Sequence, residues 1–119
     1  MQHERAPKTC ERFLSLLPWQ ENLIHVRWNG EACWIPLGDR NLNLDLEDAT
    51  SYPRPGELLL YPGGISETEV LVAYGAVRFA SKAGQLAGTP FLIITEQLER
   101  LAIIGREILW SGAREIEFR

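Results

Sequence analysis

The sequence predicts a mainly β protein: a small, largely antiparallel sheet closed into a barrel, with two short helices. Three observations carry this expectation. Six to eight strand-length runs recur along the 119 residues, divided by glycine- and proline-marked turns. Asn29-Gly30 separates two of these runs as a tight hairpin would. No strand–helix–strand unit repeats, which removes the parallel α/β architectures.

The elements follow in order. Pro7 to Leu17 is a helix, because Cys10, Phe13, Leu14 and Leu17 fall at i, i+3, i+4 and i+7 and proline suits a first helical turn. Pro18 stops it by lacking an N–H donor and clashing with the preceding turn. Leu23 to Trp28 and Glu31 to Leu37 are strands. Asn29-Gly30 between them supplies the positive-φ pair of a type I′ turn. On the first strand Ile24, Val26 and Trp28 share one face, His25 and Arg27 the other.

Gly38 to Gly56 is a long irregular excursion with one short strand near Leu42 to Leu46, of a length usually functional or mobile. Glu57 to Tyr61 is a strand, and Pro62-Gly63-Gly64 turns it. Ser66 to Glu69 has the spacing of a capping box, and Val70 to Tyr74 is again a strand. Val77 to Phe79 and Phe91 to Thr95 are further strands, joined through Gly84, Gly88 and Pro90. Glu96 to Ile104 is the second helix, with Gly105 as its first stop signal. Arg114 to Phe118 alternates charged and apolar residues as a half-exposed strand does.

Length and composition match one globular domain, residues 1–119, with 45% hydrophobic and 24% charged residues and a core that needs no disulfide or metal. The net charge is −4, with 12 basic and 16 acidic residues interspersed, so the basic face that nucleic acid requires is missing. Met1 to Pro7 has no apolar run of the kind a signal sequence uses, and no stretch is long enough to span a bilayer. The expected location is the cytoplasm, with Cys10 and Cys33 reduced.

The run Tyr61-Pro62-Gly63-Gly64-Ile65-Ser66-Glu67-Thr68-Glu69 is followed by Tyr74-Gly75-Ala76-Val77-Arg78-Phe79-Ala80-Ser81 and then by Gly84-Gln85-Leu86-Ala87-Gly88. Together with Leu16-Leu17-Pro18, the Trp28-bearing hairpin and Leu109-Trp110-Ser111-Gly112-Ala113, these resemble a bacterial domain-of-unknown-function family in the cyclophilin-like superfamily. The resemblance covers essentially the whole chain. It implies a closed cyclophilin-like barrel with a helix at each end and brings no established activity. Distant relatives of this architecture act on carboxylated or amide substrates as parts of larger enzymes. Peptidyl-prolyl isomerase activity is argued against: Arg78-Phe79 and Gln85 echo the cyclophilin pattern only superficially, with the wrong spacing and no methionine other than Met1.

Metal chemistry lacks a ligand set. His3 sits in a terminus, His25 stands alone on a strand, and the cysteines have no CxxC spacing. Ser66 and Ser81 lack the setting of a nucleophile elbow, and Gly63-Gly64 lacks the ending of a phosphate loop. No cofactor is expected. Between Leu58 and Ile94 only Glu67, Glu69, Arg78 and Lys82 are charged, and buried charges in so apolar a stretch need partners or a ligand.

The candidate ligand site is therefore Tyr61, Glu67, Tyr74, Arg78, Ser81, Lys82 and Gln85, with Arg78 gripping a carboxylate and Glu67 positioning or deprotonating a ligand. An ordinary Arg78–Glu67 ion pair is the competing explanation. Trp28 and Trp34 are expected in the core, Trp34 being the better pocket residue, and Trp19 and Trp110 are expected to cap helix ends. Three classes of function stay open: a small-molecule binding protein, a small isomerase or hydrolase with Glu67 as general base and Arg78 stabilising negative charge, and an assembly domain. Association into a homo-oligomer through exposed strands or hairpins is compatible with all three.

Overall fold

The computed structural model describes residues 1–64, 66–81 and 84–119. Strand β3 (Glu57–Tyr61) is buried along its whole length, and β4 (Thr68–Val77) is buried from Thr68 to Tyr74. Runs of this kind arise when both faces of a strand are covered. These two form the middle of a six-stranded antiparallel sheet with β1 (Trp19–His25), β2 (Gly30–Gly38), β7 (Thr89–Ile93) and β8 (Arg114–Phe118). The strand order is β7-β3-β4-β2-β1-β8. A separate small ribbon pairs β5 (Ala80–Ser81) with β6 (Gly84–Gln85).

Strand parity divides the core in two. Leu58, Leu60, Val70, Val72, Tyr74, Cys33 and Ile35 face the helices α1 (Pro7–Ser15) and α2 (Leu98–Ser111). Leu59, Tyr61, Leu71 and Ala32 face the other way and meet Val26, Phe79 and Leu86, with Trp34 and Val77 packed at the margin. Cys10 and Phe13 anchor α1, whereas Leu14 of the expected burial face is exposed.

The sheet is an open half-barrel, which corrects the expected closed barrel. The edge strands β7 and β8 do not pair with one another. Helix α1 lies across the gap instead: the Phe13 ring is 5.1 Å from Phe91 of β7 and 5.1 Å from Phe118 of β8. Trp19 stacks on Phe118 at 5.6 Å and extends the same aromatic seam. Side-chain packing thus joins the two edges where backbone hydrogen bonds do not.

Four local expectations are also corrected. The β1–β2 connection is a 3₁₀ turn (Arg27–Asn29) followed by Gly30 at φ +91°, and Asn29 itself does not adopt positive φ. Its carbonyl accepts from the Arg78 N–H and its side-chain oxygen from the Ala80 N–H, so Asn29 is held as a buried staple. No strand forms near Leu42 to Leu46, although Leu42 is buried. The Ser66–Glu69 spacing caps no helix, because β4 already begins at Thr68.

Lastly, α2 runs through Gly105 and ends at Gly112, where φ is +87°. Gly105 is small because it packs on Tyr74. A Cβ there would lie 2.6 Å from the ring's Cε2 and closer still to Cδ2.

The first turn of α1 has no side-chain cap of its own. Glu47, from the long excursion, supplies one: its carboxylate accepts from the Thr9 N–H at 2.7 Å, the Thr9 hydroxyl at 2.8 Å and the Lys8 N–H at 3.3 Å. Partial burial pulls the Glu47 pKa upward, but these hydrogen bonds and the Lys8 ammonium outweigh it and hold the group below its ordinary value.

Candidate functional site

The residues expected at one site are distributed over several places. Tyr61 is buried on the second face, its ring 5.9 Å from Phe79. Tyr74 lies on the helix-facing side, hydrogen-bonded to His25 Nε2 at 2.7 Å, and burial pushes its phenol up. It lines a depression of about 470 Å³ with His25, Glu31, Arg106 and Trp110.

Glu67 is exposed on a different depression of about 670 Å³, lined by residues 38–41, 62–64 and 66–68. Arg78 is exposed just beyond β4 and forms no ion pair among the described residues. Ser81 and Gln85 sit on the β5–β6 ribbon, and Lys82 falls outside the described residues. The structure therefore separates Tyr74 from Tyr61 by the thickness of the sheet.

One residue that sequence reasoning did not select stands out. Glu69, on the central strand β4, is only 3% exposed. Its Cα partners are Pro36 on β2 and Tyr61 on β3. Residues paired across antiparallel strands share a face, so Glu69 points to the second side with Tyr61 and Leu71. Trp34, paired with Leu71, is its diagonal neighbour and is half-buried. Trp28 meets Trp34 edge-on at 6.4 Å and donates its indole N–H to the Ala80 carbonyl at 3.0 Å.

No hydrogen bond or ion pair to the Glu69 carboxyl occurs among the described residues. Burial, and to a lesser extent the nearby charge of Glu67, raise its pKa to about 8. At neutral pH this carboxyl is mostly protonated, a donor and acceptor against an aromatic wall. The signal was present in the sequence: Glu69 shares strand parity with Leu71 and Ala73, which places it inward.

The other reactive groups are quiet. Cys10 is buried and donates its thiol to the Phe91 carbonyl at 3.3 Å, and burial drives the Cys33 thiol up to about 11. Both thiols are therefore protonated, unlike catalytic cysteines. Among the described residues no cluster of three His, Cys, Asp or Glu could hold a metal, and no helix is long and apolar enough to cross a membrane. Trp19 is buried as expected, whereas Trp110 is 83% exposed and caps nothing.

With this geometry in place, the chain belongs to the family described as "Protein of unknown function (DUF3830)", whose model matches residues 1–119. This agrees with the resemblance carried by the 61–88 region, and the architecture of sheet and two helices resembles a cyclophilin-type fold. Six solved chains match its structure. One of them, described as McbB in complex with tryptophan, superposes with a TM-score of 0.72 at 19% identity and covers 98% of this chain. The chain spans only 38% of the length of that protein, and the likeness is one of fold. No curated protein matches the sequence.

Proposed function

We propose that this domain binds a small carboxylated or amide metabolite on the second face of its sheet. Glu69, Tyr61 and Trp34 form the floor of the site, and Arg78 grips a carboxylate at its margin. The observation that carries the reading is Glu69: a carboxyl 3% exposed, with no protein partner among the described residues. Burying a polar group without a hydrogen bond costs about 1–3 kcal/mol, and a ligand that completes the bond recovers it. Arg78, exposed just beyond the end of β4 and next to Phe79, is the cation proposed for the ligand's carboxylate. The fold neighbour holds tryptophan, a carboxylated amine, which supports a ligand of this size and class. We take the protein to act in the cytoplasm, where Cys10 and Cys33 stay as the free thiols they are.

A second reading is favoured by the same residue. A carboxyl titrating near 8 can act as a general acid or base at neutral pH, so an isomerase or hydrolase would use Glu69 in the role expected of Glu67.

The test is a thermal-shift screen against carboxylates and amides with wild type and Arg78→Ala. A ligand at a hundred times its Kd adds about 2.7 kcal/mol, or roughly 10 °C for a domain of this size. Stabilisation of wild type that the variant lacks supports the site. Turnover of the stabilising compound, lost in Glu69→Gln, favours the enzyme. Melting that depends on protein concentration alone replaces both readings with assembly.

A further inference from the structure

The protein contains a second buried carboxylate, and its treatment is the useful comparison. Glu57 is 2% exposed, and every face of its carboxylate is answered. Arg5 reaches it at 3.3 Å, Arg54 at 3.6 Å and the Gln2 amide at 2.9 Å, while the Arg54 N–H donates from 3.2 Å. This is how a fold holds a desolvated charge that has a structural role.

Glu69 is equally buried and receives none of this. Its cross-strand neighbours, Pro36 and Tyr61, bring no cation, and the charge acting on it is that of Glu67, of the same sign. On its face of the sheet lie Tyr61, its partner across β3, Trp34, its diagonal neighbour on β2, and Trp28 edge-on to Trp34.

We infer that the group this site receives at Glu69 is an organic ammonium, so that the ligand is an amine or amino acid with an apolar body. The inference rests on the reading of the second sheet face as a ligand site. A carboxylate attracts an ammonium by charge, and the negative faces of aromatic rings attract the same ion, most strongly when water is excluded. A ligand carboxylate at this point would instead face two glutamates.

Binding has a proton balance. Free Glu69 carries its proton at neutral pH. The incoming ammonium favours the carboxylate, and the proton passes to buffer.

Calorimetry of the full chain at pH 7 tests this, in phosphate and in Tris, whose ionisation enthalpies differ. The probes are tryptamine and indole-3-propionamide, which share the ring system of the compound bound by the fold neighbour and differ in the ammonium. Tryptamine is expected to bind at least about tenfold more tightly than the amide, with release of nearly one proton. Glu69→Gln should abolish the proton release and remove the roughly tenfold preference for tryptamine over the amide.

Equal binding of amine and amide, or tryptamine binding without proton release, overturns the ammonium and leaves the pocket standing. Failure of both probes to bind removes the pocket reading, and the ammonium with it. A carbon-detected titration of Glu69 in wild type guards against a variant that misfolds. Tryptamine should lower the carboxyl pKa by at least about one unit, and an unmoved pKa refutes the inference.

Discussion

Replacing Glu69 by Gln should make the protein more stable at neutral pH, and the gain should depend on pH. The side chain is 3% exposed and its carboxyl titrates at about 8 in the folded state, against an ordinary value of 4.5. Between these values the folded protein keeps a proton that the unfolded chain has lost. Stability therefore falls as pH rises through this window, by about 1.4 kcal/mol per unit.

From pH 4.5 to pH 7 the loss comes to about 3 kcal/mol, a large part of the 5–15 kcal/mol typical of a whole domain. Above pH 8 both states are ionised and the dependence levels off. Gln has nearly the shape of the protonated acid and does not titrate. Urea unfolding of the two proteins at pH 5, 6, 7 and 8 reads the difference directly. At pH 5 they should agree within about 1 kcal/mol, and the variant should lead increasingly toward pH 8. A difference that stays constant across the series would refute the raised pKa, and with it the account of Glu69 as a desolvated, unpartnered acid.

Two further outcomes follow from the packing. Gly105→Ala should lower the Tm by several degrees. Alanine adds about 1 kcal/mol of helix propensity, but overpacking against Tyr74 costs about 1–3 kcal/mol, and the ring displacement should break the His25–Tyr74 hydrogen bond, visible in the histidine NMR shifts. Glu47→Gln should cost about 1 kcal/mol at pH 7 by weakening the cap on α1. Since the Glu47 pKa is lowered by folding, the stability it gives is present above the ordinary carboxylate range and lost as pH falls through the folded value. The two proteins should therefore converge in acid, as chemical denaturation at pH 7 and pH 3 would reveal.

How much of this was legible in the sequence depended on how local the cause was. Strands Glu57–Tyr61 and Arg114–Phe118 could be read with their observed bounds, because alternation, apolar runs and flanking turns all lie within a few residues. Closure of the sheet could not, since it turns on whether strands more than twenty residues apart, β7 and β8, find one another or a helix between them. Gly105 looked like a stop because a glycine that yields room to a distant tyrosine has the same local signature as one that ends a helix. In the 61–88 region Tyr74 and Arg78 share strand parity, but Tyr61, Glu67, Ser81, Lys82 and Gln85 are grouped with them only by nearness in sequence, which cannot tell faces apart. Parity along β4 would have sent Glu69 inward beside Tyr61 and set Tyr74 behind the sheet.

The helix that bridges the open edges also has a bearing on how the chain comes to be folded. A polypeptide made from its N-terminus produces α1 before each of its partners: Glu47 for the cap, then Phe91, then Phe118. Until residue 118 has been added, one wall of the seat for Phe13 does not exist, and the apolar face of α1 and two unpaired strand edges are left open to other chains. Contacts of such long sequence separation are slow to form, because so much chain must be ordered before they reward it. Completion of this fold thus waits for the strand that carries Phe118, and α1 stays half-seated until that strand is in place.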